Sequence, residues 1–92
     1  MSFHFYVDVD KPLGFAALTL EEFYRFIKQV VTDSLEFHLY RGDFENWLRD
    51  VCKDLELAVA FGALKTEGLK SEDLRKALLK VIDAKYGVGD LL

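Results

Sequence analysis

The stretch Thr19-Leu20-Glu21-Glu22 sets a hydroxyl that can cap a helix three residues ahead of a glutamate that can reach back to it. Thr at the N-cap with Glu at the third helical position satisfies two of the backbone N–H groups that every helix start leaves unpaired. This cap marks a helix start inside a chain of 92 residues and divides it into two regimes. Before Thr19, apolar residues recur at every second position. After it, they recur at spacings of three and four. The expected fold class is therefore α+β, mostly helical, with an N-terminal strand or short hairpin packed on three to four helices.

In the first regime, Phe3, Phe5, Val7 and Val9 alternate with Ser2, His4, Tyr6 and Asp8, the period of a half-buried strand. Asp10, Lys11, Pro12, Leu13 and Gly14 supply turn chemistry, and residues 15–18 can return as a short second strand. Two strands alone are marginal in water, so the hairpin needs the helices. In the second regime, Leu18 and Phe23 occupy the positions of a hydrophobic staple. Leu20, Phe23, Tyr24, Ile27, Val30 and Val31 form an apolar stripe that should end near Thr32 and Asp33.

Asp33 or Ser34 can cap a short helix over 35–40, stopped by Gly42. Asp43 can cap the next helix, which carries Phe44, Trp47, Leu48 and Val51 at helical spacing. Asp54 can open a further turn through Leu55, Leu57, Ala58 and Phe61, so 44–61 reads as one helix or two. Ser71 can cap the last helix, with Glu72 and Asp73 in its first turn and Glu72–Lys76 as an i,i+4 pair. Leu74, Ala77, Leu78, Val81 and Ile82 would be its buried stripe and Gly87 its stop. The expected organisation is one small domain over 1–92: a strand or hairpin segment 1–18, a helical body 19–87, and a tail 88–92 that either frays or docks.

Composition narrows the function classes. The chain is 51% hydrophobic and holds eight Phe and four Tyr, while a domain of this size buries only roughly 60–65% of its unfolded surface. Some of that apolar surface should stay exposed, and an exposed apolar patch usually marks a partner. A net charge of −4 argues against general binding to a phosphate backbone. A single cysteine, Cys52, excludes an intrachain disulfide and fits a reducing compartment. No signal-peptide pattern is visible, and no apolar run approaches the ~18–20 residues of a membrane span. A cytoplasmic protein without a membrane partner is expected.

The densest group of chemistry-bearing residues is HLYRGDFENWL, 38–48. Its candidate binding residues are His38, Arg41, Asp43, Asn46 and Trp47, with Tyr40 and Trp47 as walls. Converging at a helix N-terminus, these polar groups would suit an anion. The structural reading of the same residues is simpler. His38 bonds a carbonyl or Asp43, Gly42 turns the chain, Asp43 caps a helix, Arg41 pairs with a carboxylate and Trp47 packs in the core or at an interface. Arg41-Gly42-Asp43 is the tripeptide read by integrins, but that use requires a flexible extracellular loop. Cys52 has no base or oxyanion donor marked beside it and reads as a small buried hydrophobe. With two histidines and no paired-ligand spacing, no metal, cofactor or catalytic residue is assigned. Arg75, Lys76, Lys80 and Lys85, with Lys65 and Lys70 nearby, give the C-terminal third a basic surface interrupted by Glu72, Asp73 and Asp83. It reads first as a solvated face and second as a weak nucleic-acid site.

The succession GFAALTLEEF, SLEFHLYRGDFENWL and DLELA resembles an uncharacterised prokaryotic or archaeal small-domain family. The shared pattern is Gly-x-x-Ala-x-Thr-Leu-x-Glu-Phe, then His-x4-Asp-Phe-x2-Trp, then Asp-x-x-Leu-Ala. Here it falls on Gly14, Ala17, Thr19, Glu22, Phe23, His38, Asp43, Phe44, Trp47, Leu48, Asp54, Leu57 and Ala58, within residues 3–62. The resemblance implies a small prokaryotic domain and brings no activity or catalytic residue with it. The leading expectation is a non-enzymatic interaction or oligomerisation module, with another protein or a second copy of itself as partner. The alternatives are a small-ligand or anion site around 38–47, enzymatic or not, and weak nucleic-acid binding through the last helix.

Overall fold

The computed structural model describes residues 1–87; the tail 88–92, and with it the expectation that it frays or docks, lies outside the described residues. Strand β1 (Phe3–Asp8) pairs antiparallel with β2 (Lys11–Ala17). The second strand is longer than the 15–18 expected, because the chain reverses within two residues and pairs again at Lys11. Pro12 is tolerated there because β2 is the edge of a two-stranded sheet. The register slips twice. His4 faces Ala16 but Tyr6 faces Pro12, so Leu13, Gly14 and Phe15 crowd opposite Phe5. Gly14 takes a positive φ of 84° to make that bulge. The alternation therefore buries Phe3 and Phe5 and then fails: Val7 is half-buried and Val9, in the turn, is exposed.

Five α-helices follow among the described residues: α1 (Leu20–Gln29), α2 (Thr32–Arg41), α3 (Asp43–Asp50), α4 (Leu55–Leu64) and α5 (Ser71–Tyr86), with a 3-10 turn at Lys65–Glu67 before the last. The fold is α+β and mostly helical, with the hairpin packed on the helices. At the start of α1, Thr19 Oγ1 accepts the Glu22 N–H at 3.1 Å, while Glu22 Oε1 accepts the N–H of Leu18 at 2.8 Å. The box is thus shifted by one residue on its return bond. The staple does not form, since Leu18 is exposed and Phe23 is fully buried. Helix α1 also stops earlier than expected, at Gln29; Val30 turns inward and Val31 outward.

Three of the expected caps are absent. Helix α2 starts at Thr32 after Val31, with no side-chain cap from Asp33 or Ser34. Ser34 lies inside the helix with its Oγ buried and unpartnered among the described residues. Asp43 is the first residue of α3 rather than its cap, because Gly42 alone, at φ 82°, ends one helix and begins the next. Ser71 is the first residue of α5, not its cap. Its N–H donates to Glu36 Oε2 at 2.9 Å, and Glu72 pairs with Arg75 rather than Lys76. Asp54 does cap α4, accepting from the Leu57 N–H at 3.0 Å. It also receives Lys85 Nζ at 2.6 Å and the Tyr86 hydroxyl, which ties the end of α5 to the start of α4. Segment 44–61 is therefore two helices, and the break passes through Lys53, which adopts a left-handed φ of 58°.

The core is one cluster that joins the hairpin to all five helices. Its centre is aromatic. The Phe3 ring lies 4.9 Å from Phe5, 5.5 Å from Phe23, 5.1 Å from Phe44 and 5.7 Å from Trp47, mostly edge to face. No helix among the described residues is long and apolar enough to cross a membrane.

Two substitutions test this account in urea unfolding. Lys53→Gly should stabilise the protein by about 0.5–1 kcal/mol, because the left-handed backbone at 53 costs a side-chain-bearing residue more than glycine's extra chain entropy returns. Ser34→Ala should leave stability equal or raise it by up to about 1 kcal/mol, since it removes a buried hydroxyl that gains no bond.

Candidate functional site

His38 sits on the inner side of α2, 3% exposed, where that helix meets β1. Its Nε2 lies 2.8 Å from the backbone nitrogen of Tyr6, and its Nδ1 lies 2.8 Å from Asp43 Oδ2. A backbone N–H can only donate, so Nε2 is the acceptor and the ring proton is on Nδ1, pointing at the carboxylate. The imidazole is thus neutral and saturated. Burial is the main influence on it and pushes its pKa below the ordinary 6.5, with Arg41 adding to the lowering and Asp43 opposing it. Neither nitrogen is free to take a substrate proton or bind a metal without first giving up a structural bond.

The other candidates divide. Arg41 and Asp43 join His38: Arg41 Nε is 3.5 Å from Asp43 Oδ2, and its guanidinium carbon lies 4.6 Å from the centroid of the Phe37 ring. Asn46 does not join them; it is exposed and accepts from Arg49 Nη2 at 2.9 Å. Trp47 is core, and its Nε1 donates to the Met1 carbonyl at 3.0 Å. Tyr40 faces elsewhere and donates to the Leu69 carbonyl at 2.7 Å. Tyr40 and Trp47 are therefore not the walls of the site. A cleft of about 260 Å³ does open beside His38, but Phe3, His4, Tyr6, Val9 and Phe37 line it together with Arg41, His38 and Asp43. Five of those eight come from β1, its turn or Phe37. Sequence reasoning missed the β1 and turn residues because only the packing of β1 against α2 brings them to residues about thirty positions away; Phe37 is the local exception, one turn before Arg41 on the same helix.

Arg41-Gly42-Asp43 is the joint between two helices, so its three residues are fixed in helical geometry on either side of Gly42. Cys52 is half-buried; burial pushes its thiol pKa up and Asp54 adds to the effect, the reverse of the electropositive setting that activates a thiolate. Among the described residues, no three His, Cys, Asp or Glu side chains stand close enough to hold a metal ion. Half of the expected basic surface is internally committed. Arg75 Nη1 donates to the Ile27 carbonyl at 2.7 Å, Lys65 pairs with Glu45 at 2.6 Å and Lys85 with Asp54. Lys70, Lys76 and Lys80 remain as the exposed lysines of that face.

No protein-family model, no curated protein and no solved structure matches this chain.

His38→Ala should cost about 2–4 kcal/mol in urea unfolding, because it leaves the Tyr6 N–H unpaired and opens a hole between β1 and α2. The unmutated protein should lose stability as pH falls. The unfolded chain takes up a proton through pH 6.5, while folded His38 resists it to lower pH, so its contribution is complete above 6.5 and declines below. Unfolding curves between about pH 7.5 and 5.5 should show this slope, and His38→Ala should flatten it.

Proposed function

We propose that this protein is a non-enzymatic interaction module that pairs with a second copy of itself through the outer face of α4. One observation carries the reading. Helix α4, LELAVAFGAL, has a single charged residue in ten and is apolar on every side. Its inner face buries Leu57, Ala58, Phe61 and Leu64. Its outer face leaves Leu55 64% and Val59 72% exposed, with Ala63 exposed one turn further on. A helix that is apolar all round is ordinarily covered all round. Beside the stripe, Ala60, Val81 and Ala84 border a cleft of about 330 Å³ between α4 and α5.

The stripe is self-complementary. In an antiparallel pair of α4 helices centred on Val59, the large Leu55 faces the small Ala63 of the second copy and the two valines meet on the two-fold axis. Each copy thus supplies the space that the other fills. The saturation of His38 supports the non-enzymatic half of the reading, since the residue best suited to acid–base work already serves the fold.

Cysteine cross-linking in a Cys52→Ala background tests the geometry. Val59→Cys should form a disulfide-linked dimer under mild oxidation. Leu55→Cys alone should not, yet it should cross-link when mixed with Ala63→Cys. Val59→Glu should hold the protein as a monomer in sedimentation while its far-UV spectrum is unchanged. An unmutated chain that sediments as a monomer even at millimolar concentration would sink the proposal.

A further inference from the structure

We infer that the cleft between β1 and α2 is a binding site for a small aromatic carboxylate, with its ring against Phe3, Tyr6 and Phe37 and its carboxylate on Arg41. The site is separate from the α4 face and does not depend on self-association.

The walls are rigid and apolar. Phe3 is held by the rings of Phe5, Phe23, Phe44 and Trp47 behind it, and His38 packs edge-on against it at 4.8 Å. Phe37 and Val9 line the same cleft. Arg41 supplies the polar side. Its Nε pairs with Asp43 at 3.5 Å and its guanidinium lies over the Phe37 ring. Its two terminal nitrogens have no partner among the described residues, and the side chain is half exposed at the cleft. A guanidinium presenting a free fork of N–H donors matches a carboxylate with two parallel bonds. Holding the arginine beforehand lowers the cost of that match.

The charges at the cleft choose the ligand's sign. Asp43 Oδ2 already accepts from His38 Nδ1 and faces Arg41 Nε, which leaves the terminal nitrogens of Arg41 as the open donors at the cleft among the described residues. A cationic ligand would meet the Arg41 guanidinium as a like charge. His4, exposed at the rim, is a further group able to donate to an acid. Size sets the rest. At about 260 Å³ the cleft falls just below ordinary small-molecule pockets of about 300–1,000 Å³, which limits the occupant to one ring with a short acid arm.

Titration of the full-length, isotope-labelled protein with phenylacetate, followed by amide NMR, tests the site. Saturable shifts should appear at Tyr6, Phe37 and Arg41. Phenylacetamide, of the same shape without the charge, should bind at least about tenfold more weakly, and Arg41→Gln should weaken phenylacetate by a similar factor. Val59→Glu should leave the affinity unchanged. The inference fails if the cleft amides do not move with phenylacetate, or if the amide or benzylammonium binds as well as the acid. It fails equally if Arg41→Gln binds phenylacetate undiminished. Because Arg41 is a surface residue, its variant should retain the native amide spectrum away from the cleft, and the amide comparison needs no variant at all.

Discussion

The structure depends on how an isolated hairpin is held to a helical body. Two strands cannot sustain themselves, and β1 has a partner on only one side. His38 closes the other side, accepting the Tyr6 N–H with Nε2, and Asp43 holds the ring in the tautomer that can accept. The relay runs from a strand backbone through one helix to the first residue of the next. Phe3 reinforces it from β1 by inserting into a nest of rings from α1 and α3. Hydrogen bonding fixes the strand's position and aromatic packing supplies most of the burial. An unpaired strand edge is also a template for aggregation, and the imidazole against β1 occupies one of its open donors, the Tyr6 N–H.

That arrangement changes the meaning of the chemistry-rich segment 38–48. Histidine, arginine and aspartate within six residues resemble the parts of an active site, yet the fold uses the histidine up. What remains is Arg41, which Asp43 and Phe37 orient while its outer nitrogens have no partner among the described residues. The same shell that secures the hairpin therefore prepares a binding group beside it. Helix α4 shows the converse: its inner face completes the core, and its outer face, equally apolar, is left uncovered by the described residues.

Much of this was legible in the chain. The cap at Thr19, the alternation of Phe3 and Phe5, the turn at Gly42 and the cap at Asp54 are local signals whose bonds close within a few residues. The misreadings share a cause. Asp43 and Ser71 look like caps, but each helix starts one residue earlier than a cap there would allow: Gly42 and Lys70 hold the cap positions, the Asp43 carboxylate turns to His38, and the Ser71 N–H donates to Glu36, thirty-five residues away. The helix break at Lys53 carries no glycine to announce it, because the packing of α3 against α4 imposes a left-handed backbone on a residue that does not favour it.

The sequence by itself determined, though not the boundaries, the order and type of the elements and most of their apolar faces, since those follow from spacing and from bonds between near neighbours. It also determined that apolar surface would be left over, since so short a chain has more apolar residues than core. Only the tertiary structure decided which polar groups are spent and which remain available. Trp47 was turned inward to the Met1 carbonyl, and Phe3 and Tyr6 were brought to Phe37 and Arg41. Such choices rest on contacts between residues far apart in the chain, and no local pattern encodes which distant donor a buried acceptor will meet.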